Sequence, residues 1–385
     1  MNLLEQLINK TRSIYFHKKK SFPKIVKHTP TGELQLCHVS AFSYKNAGDT
    51  VLAVVLRDLF NQNLGVKEWN GIHVHRKVDD SQLSLINSTN ALIIGGGGLF
   101  LKDTNPNDIS GWQWPCSIDY LRKINVPLIM FAVGYNRFRG QEEFAPVFKE
   151  NLNVFVKKAA FVGIRNNGSI SKLKEYLDSP ELKEKLTYQP CMTTLVAKIY
   201  PDIIDYNIKE DFIAVNCAFD RENLRINSHE ALKAIARVVK KLSQITKIKY
   251  YSHKRSDRRI LKYFDELNIS YKLVELYSPK QAIIAYSKPR LVIGMRGHAQ
   301  LIPFGCKTPI LSIISHDKMQ WFLEDIKHPE WGVEVNDPAF EDMLLKKAKD
   351  FYIDYKTNIS EISEQQEVLW RITLNNIQTI KGVVQ

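Results

Sequence analysis

The chain has 385 residues, 44% of them hydrophobic and 25% charged, which is typical of a globular protein with enough apolar side chains for two domains. Its 54 Lys and Arg outnumber its 41 Asp and Glu, and the net charge of +13 favours an anionic partner. Five scattered cysteines without a C-x-x-C pair argue against a disulfide framework or a zinc site and fit a cytoplasmic location. No apolar run reaches the roughly 18 residues that a transmembrane helix needs.

Residues 1–33 form a basic, amphipathic N-terminal segment. Basic residues follow a set of aliphatic side chains at helical spacing, namely Leu3, Leu4, Leu7 and Ile8. We expect this segment to pack on the protein as a helix with a solvated basic tail. The alternative is peripheral contact with the inner face of an anionic membrane, because basic amphipathic helices bind anionic lipid surfaces.

Residues 34–205 alternate short apolar, β-branched runs with helical patterns. The segment 34–40 (LQLCHVS) predicts a strand, and 49–60 (DTVLAVVLRDLF) predicts the helix after it, with Asp49 as its candidate N-cap. Further strands are predicted at 91–94, 127–133 and 160–164. Because strands of nearly continuous apolar character belong to parallel sheets covered on both faces, this order predicts a doubly wound, Rossmann-like α/β domain.

A second strand–helix series occupies residues 206–335 and begins with FIAVNCAF at 212–219. It predicts a second Rossmann-like domain, and residues 336–385 have the pattern of a helical C-terminal tail. Two such domains enclose a cleft beyond the carboxyl ends of their strands, where ligands of these sheets bind. Candidate functional residues are therefore those that follow the predicted strands.

Two turns of the first domain are candidates for binding an anion. Asn46, Gly48 and Asp49 follow the first strand and open a helix, whose free backbone N–H groups can meet an anion. An ordinary turn with an N-cap is the alternative. The strand at 91–94 is followed by four glycines, which permit close approach of a ligand or form a tight structural turn: Gly95, Gly96, Gly97 and Gly98. Neither a dinucleotide-binding fingerprint nor a Walker A motif is present.

Charged side chains follow strands in both domains. Arg165 follows the strand at 160–164 and suits a phosphate or carboxylate in the cleft, with a local salt bridge as the alternative. In the second domain, Arg296 and His298 lie where the strand RLVIG meets the helix HAQLIPFG, near a helix N-terminus that favours anions. Gly297 between them lets a ligand approach. A buried, hydrogen-bonded core histidine is the alternative for His298.

Three further residues are candidates for binding a sugar. Trp112 and Trp114 follow the glycine run, and tryptophan faces suit sugar rings, although core packing is the more common use. His253 follows a second-domain strand in a basic segment, for which a solvated loop is the alternative.

Four motifs in this order resemble the polysaccharide pyruvyl transferase family: NAGD, IIGGGGLF, VGIRNNGS and GMRGHAQLIPFG. The resemblance implies a fold like that of the GT-B glycosyltransferases, with phosphoenolpyruvate as the donor of a pyruvyl ketal. The implied acceptor is a sugar of a surface polysaccharide or of its lipid-linked precursor. It also implies that Arg296 and His298 are the family's Arg-x-His pair and that Arg165 is its strand-end arginine, in regions associated with the donor. The chain departs from the common pattern at Gly297, where a larger aliphatic residue is frequent, and at Gly98, where serine is frequent.

On this interpretation, Arg296 and Arg165 hold the phosphate and the carboxylate of the donor, and His298 acts as an imidazolium acid. A neighbouring arginine opposes that role because it lowers the pKa of the imidazole. No metal site and no cofactor are predicted. The alternative function is a GT-B glycosyltransferase with a nucleotide-sugar donor, for which Glu275 is a candidate ribose ligand. Nucleic acid is not an expected partner because the basic residues are spread along the chain.

Overall fold

The computed structural model describes residues 25, 32–42, 46–218 and 228–385. The prediction for the N-terminal segment therefore lies almost wholly outside the described residues. The first half of the chain runs through β1 (Leu34–Ser40), α1 (Ala47–Leu64), β2 (Val66–His73), α2 (Asp80–Asn87), β3 (Ala91–Phe100), α3 (Ile118–Lys123), β4 (Leu128–Tyr135), α4 (Pro146–Lys158), β5 (Phe161–Ile164), α5 (Asn167–Lys174), α6 (Pro180–Glu184), β6 (Leu186–Tyr188), a 3₁₀ turn (Met192–Leu195) and α7 (Val196–Ile199).

The second half repeats the alternation and ends in two helices. Its elements are β7 (Glu210–Asn216), α8 (Ser228–Ser243), β8 (Lys247–Ser252), a 3₁₀ helix (Arg255–Ile260), α9 (Leu261–Glu266), β9 (Tyr271–Glu275), α10 (Pro279–Ser287), β10 (Pro289–Gly294), α11 (His298–Gly305), β11 (Ile310–Ile314), α12 (Asp317–Asp325), a 3₁₀ turn (Pro329–Trp331), β12 (Gly332–Glu334), α13 (Phe340–Ile353) and α14 (Tyr355–Val384).

Each half forms one parallel six-stranded sheet, as the apolar strand pattern predicts. The strand orders are β2-β1-β3-β4-β5-β6 and β12-β11-β10-β7-β8-β9. The direction of winding therefore reverses between β1 and β3 in the first sheet and between β7 and β10 in the second. Such switch points open a crevice at the carboxyl ends of the strands.

The strand β3 is longer than predicted and contains the four glycines, so the prediction of a loop after residue 94 is wrong. Gly95 pairs with Phe131 of β4 and Gly97 pairs with Val133. The glycines let α1 lie close to the sheet, because a Cβ at Gly96 would lie 3.0 Å from the Leu52 side chain. Ladder pairing with β4 outweighs the low strand propensity of glycine.

The cores lie on both faces of the two sheets. Helix α1 is buried along most of its length, which explains its nearly continuous apolar sequence. All five cysteines are buried free thiols. None of the described helices combines the length and the apolar character that a membrane span requires.

The predicted helical tail is present, and its last helix, α14, ties the two halves together. Gln366 donates to the carbonyl oxygens of Thr194 (3.2 Å) and Phe304 (2.7 Å), and so joins the first half to α11. Gly305, the last residue of α11, packs directly on the 3₁₀ turn, because a Cβ there would lie 1.9 Å from the Thr193 carbonyl oxygen. Helix α11 is thus anchored at its carboxyl end to the first half of the chain.

Candidate active site

A cleft of about 830 Å³ lies between the two sheets and is lined by residues from both halves. The ends of β1 and β3, and of β7 and β10, contribute to it, so it occupies both switch points. Arg165, Arg296 and His298, predicted from separate parts of the sequence, all line this cleft. The volume is within the range of small-molecule sites.

Arg165 is a buried cation that pairs with no carboxylate among the described residues. Its backbone N–H donates to Val133 at 3.0 Å and continues the pairing of β4 with β5. Its guanidinium lies over Gly134, where a Cβ would be 2.6 Å from Nη2, and the residue is only 9% exposed. It makes no side-chain hydrogen bond or ion pair with a described residue, so the predicted alternative of a local salt bridge is not observed there. Burying an unpaired charge is costly, and an anionic ligand would relieve that cost.

Arg296 was expected to bind the donor, but its guanidinium already forms an ion pair with the Asp257 carboxylate. Its Nε donates to both carboxylate oxygens of Asp257 at 2.9 Å, and its Nη2 lies 2.5 Å from Oδ1. Asp257 is fully buried and also accepts from the His253 backbone N–H (3.0 Å) and the Asn216 amide (3.3 Å). The charge of Arg296 is therefore largely compensated within the protein, and its geometry is fixed before any ligand enters.

His298 is the first residue of α11, and its ring lies against Gly48 of the first half. A Cβ at Gly48 would be 2.2 Å from His298 Nδ1, so this contact requires glycine. The buried Nε2 has no hydrogen-bond partner in the part of the chain that the structure describes. Burial, followed by the positive charge of Arg165, lowers the pKa of His298 well below its ordinary value. The imidazole is therefore neutral in this environment, which differs from the expected imidazolium.

The turn at the start of α1 is less open than predicted. The N-cap is Asn46 rather than Asp49, and its side chain accepts the Gly48 N–H at 3.2 Å. Asn46 Nδ2 in turn donates to Asp49 Oδ2 at 2.8 Å. Burial raises the pKa of the Asp49 carboxyl to about 6. The Gly48 N–H is therefore occupied, and this turn supplies a titratable carboxyl group to the cleft.

The start of α11 does offer free backbone donors. Its N-cap, Gly297, makes no side-chain capping bond, and the N–H groups of Gly297 and His298 donate to no described residue. Such a helix N-terminus favours an anion. A Cβ at Gly297 would meet only Lys318 Cε at 3.7 Å, so the cleft has room there for a side chain larger than that of glycine.

The glycine run contributes to the cleft only at its end. Gly95 and Gly96 pack against Phe131 and Leu52 and do not line the cleft, so their predicted role in donor binding is not supported by their position. Gly97, with a φ of +99°, does line it. Gly98 leaves space for a cleft side chain described next.

Several cleft residues were not predicted from the sequence, among them Asn136, His316 and Lys318. Asn136 Oδ1 accepts from Lys318 Nζ at 2.8 Å and lies 3.1 Å from His316 Nε2, which joins the two halves across the cleft. The His316 ring stacks on Phe138 with centroids 4.2 Å apart. Asn136 directly follows β4, and His316 lies just beyond β11, so the strand-end pattern that found Arg165 could also have found them.

The predicted sugar-binding tryptophans are core residues. Trp112 and Trp114 are 1% and 0% exposed, and Trp112 Nε1 donates to Asn151 at 2.9 Å beneath the first sheet. Their prediction as acceptor ligands is wrong because the loop after β3 turns them inward. His253 does line the cleft, but its Nε2 lies 2.5 Å from the Tyr286 hydroxyl, and burial lowers its pKa to about 3.

Glu275, the candidate ribose ligand of a nucleotide-sugar enzyme, pairs with Arg258 and does not line the cleft. Within the described ranges, no group of three or more His, Cys, Asp or Glu side chains is arranged to hold a metal ion.

Solved structures resemble this fold at low sequence identity. A Listeria monocytogenes protein assigned as a UDP-N-acetylglucosamine 2-epimerase has a TM-score of 0.51 at 13% identity, over 86% of this chain and 91% of that one. The S. aureus MnaA–UDP structure has a TM-score of 0.49 at 13% identity, over the same shares of 86% and 91%. The likeness to the Listeria structure shows the predicted GT-B arrangement of two Rossmann-like domains around a cleft.

A search of curated protein sequences finds no similar chain. The family described as "Polysaccharide pyruvyl transferase" matches residues 46–317, which include the cleft residues from Asn46 to His316. Since this match spans well over half of the sequence, the chain belongs to the polysaccharide pyruvyl transferase family.

Proposed function

We propose that the protein transfers the pyruvyl group of phosphoenolpyruvate to a sugar of a surface polysaccharide or its lipid-linked precursor, as a ketal. The observation that carries the proposal is Arg165, a buried cation that has no counterion within the described ranges and lines the same cleft as His298. The family supports a polysaccharide pyruvyl transferase, and the cleft supplies the charges that such a donor needs.

The donor carries a phosphate and a carboxylate, and the cleft offers two kinds of anion-binding group. Arg165 provides an uncompensated guanidinium, and the start of α11 provides the N–H groups of Gly297 and His298. Lys318 lies at the same end of the cleft, beside Gly297. Because Arg296 already shares its charge with Asp257, Arg165 contributes more to donor affinity.

The chemistry requires two proton movements. The methylene carbon of the donor gains a proton, and two acceptor hydroxyl groups each lose one as they bond to the central carbon and displace phosphate. The two protons lost by the hydroxyl groups therefore equal the one gained by the new methyl group and the one that leaves with the released phosphate. A neutral His298 suits the acceptance of a hydroxyl proton, since general bases must be unprotonated when the reaction begins.

The cleft is much larger than the donor requires, because phosphoenolpyruvate is far smaller than the ligands that fill sites of about 830 Å³. The remaining space extends to His73, His75 and Gln113 at the end of the cleft away from β5. We place the acceptor saccharide in that space, in place of the tryptophan site expected from the sequence.

The test combines donor binding with product analysis. Phosphoenolpyruvate should raise the melting temperature of the wild-type protein, and Arg165→Gln should weaken its binding roughly 10- to 150-fold, the equivalent of about 1.5–3 kcal/mol for hydrogen bonds to a charged group. Arg122→Gln, at an exposed arginine, is the matched control. Phosphate release with lipid-linked saccharides, followed by mass spectrometry, should show a ketal rather than an added hexose. The proposal is contradicted if the wild-type protein does not bind phosphoenolpyruvate, or if Arg165→Gln binds it with wild-type affinity.

A further inference from the structure

Asp49 is a partly buried carboxyl group that lines the cleft, and it has an unusual set of partners. It lies in the first turn of α1, next to Gly48, against which the His298 ring packs. Its Oδ2 accepts a hydrogen bond from the neutral Asn46 amide at 2.8 Å. Among the described residues it forms no ion pair, although several cations lie near it.

The charged groups that face Asp49 come from four elements. Arg296 and Lys254 lie beyond strands of the second sheet, Lys318 lies on α12, and Arg165 follows β5. The neutral imidazole of His298 completes the surroundings. These cations favour the ionised carboxylate, and burial opposes it more strongly, so the pKa of Asp49 is raised to about 6.

Binding of an anionic donor would favour the protonated form of Asp49. Its phosphate and carboxylate would pair with the cations that now favour the ionised form of Asp49, and would add negative charge beside it. Two neighbouring anionic groups in a buried site do not both remain ionised. Among the described residues, Asp49 lines the cleft without a cation bonded to it, whereas Arg296 holds the Asp257 carboxylate.

We propose, on the basis of the function proposed above, that Asp49 takes up a proton when the donor binds and delivers it to the methylene carbon. Asp49 is then the general acid of pyruvyl transfer, and His298 is the general base. This assignment moves the acid role, which the sequence-based interpretation gave to His298, to Asp49.

The step balances in atoms and charge. The Asp49 proton forms the new C–H bond of the methyl group, and the central carbon becomes an oxocarbenium centre. A first acceptor hydroxyl forms a C–O bond to that carbon and gives its proton to His298. A second hydroxyl forms the other C–O bond as the bond to phosphate breaks, and its proton leaves with the phosphate. Transfer of the proton from His298 to Asp49 restores both groups.

The experiment measures proton uptake on binding of phosphoenolpyruvate, without an acceptor. Titration calorimetry in buffers of different ionisation enthalpy gives the number of protons taken up at about pH 7.5, where the phosphate of the free donor is largely ionised. The wild-type protein should take up close to one proton more than Asp49→Asn. His298→Gln should retain the uptake. Asp49→Asn should bind the donor at least as tightly as wild type, because a negative charge beside the anion is removed, yet lose about 100-fold or more in turnover.

The outcomes separate the two proposals. No binding of phosphoenolpyruvate by the wild-type protein overturns the proposed function. Intact binding with equal uptake in wild type and Asp49→Asn, or uptake lost only in His298→Gln, overturns the role of Asp49 alone. If Asp49→Asn does not fold, Asp49→Ser provides the same non-ionisable comparison. A purely structural role for Asp49 predicts that binding and turnover fall together.

Discussion

Replacement of Asp257 by asparagine tests how strongly the buried pair with Arg296 contributes to stability. Asparagine keeps the shape of the side chain and one acceptor oxygen, but it removes the charge opposite a guanidinium whose side chain is 12% exposed. Breaking a buried ion pair by neutralising one partner costs roughly 3–5 kcal/mol. Because asparagine retains part of the hydrogen bonding, we expect a loss of about 3 kcal/mol in the free energy of unfolding.

For a chain of 385 residues, this loss corresponds to a fall in melting temperature of about 4 °C. Differential scanning calorimetry measures it directly. The matched control is Asp119→Asn, which neutralises an exposed partner of Arg122 (83% and 68% exposed) and should cost less than about 1 kcal/mol. Equal melting temperatures for Asp257→Asn and the wild type would refute the claim that Asp257 compensates and fixes Arg296.

Three further predictions concern neighbouring positions. Gly48→Ala places a methyl group 2.2 Å from the present position of His298 Nδ1, so it should displace the imidazole and lower kcat at least about 10-fold. Steady-state kinetics would measure this loss. A normal kcat would contradict the close packing of His298 on Gly48. Gly297→Ala meets only Lys318 Cε at 3.7 Å and should keep kcat within about 3-fold, which makes it the control for Gly48→Ala. Burial raises the pKa of the Asp325 carboxyl in the folded protein to about 7, from an ordinary value of 3.8. Between these two pH values the folded protein therefore holds a proton that the unfolded chain has lost. The stability of the wild-type protein relative to Asp325→Asn should therefore rise by about 2 kcal/mol as the pH falls from about 8 to 5. Urea unfolding that shows no such rise would contradict the raised pKa of Asp325.

The sequence was sufficient to predict the positions of the main cleft residues. Arg165 and Arg296 were found because parallel strands end at one edge of a sheet, and a charged residue directly after an apolar strand must lie at that edge. The same reasoning, applied to every strand, would have included Asn136. Periodicity also predicted both sheets and the helical tail, because burial on two faces leaves a nearly continuous apolar pattern.

The pairing of those residues could not be predicted, because it depends on tertiary distances. Arg296 is held by Asp257, which lies 39 positions earlier in the sequence. The neutral state of His298 follows from burial and from Arg165, which belongs to the other half of the chain. The glycine run was predicted to follow the strand and not to belong to it. Tertiary pairing with β4 extends the strand through these residues of low strand propensity.

The anchoring of α11 determines which parts of the cleft can move. Helix α11 carries His298 at one end, and at the other end Gly305 rests on the Thr193 carbonyl while Gln366 holds Phe304. If the second sheet rotates about this anchor, the displacement of each atom grows with its distance from the anchor. His298 therefore moves little relative to Gly48, and the hydrogen bond from the Ala47 N–H to the His253 carbonyl oxygen (3.3 Å) holds the end of β8 to the first half as well. A movement of the second sheet would therefore leave the contact between His298 and Gly48 nearly unchanged, because contacts at Gly305 and at His253 hold that sheet to the first half.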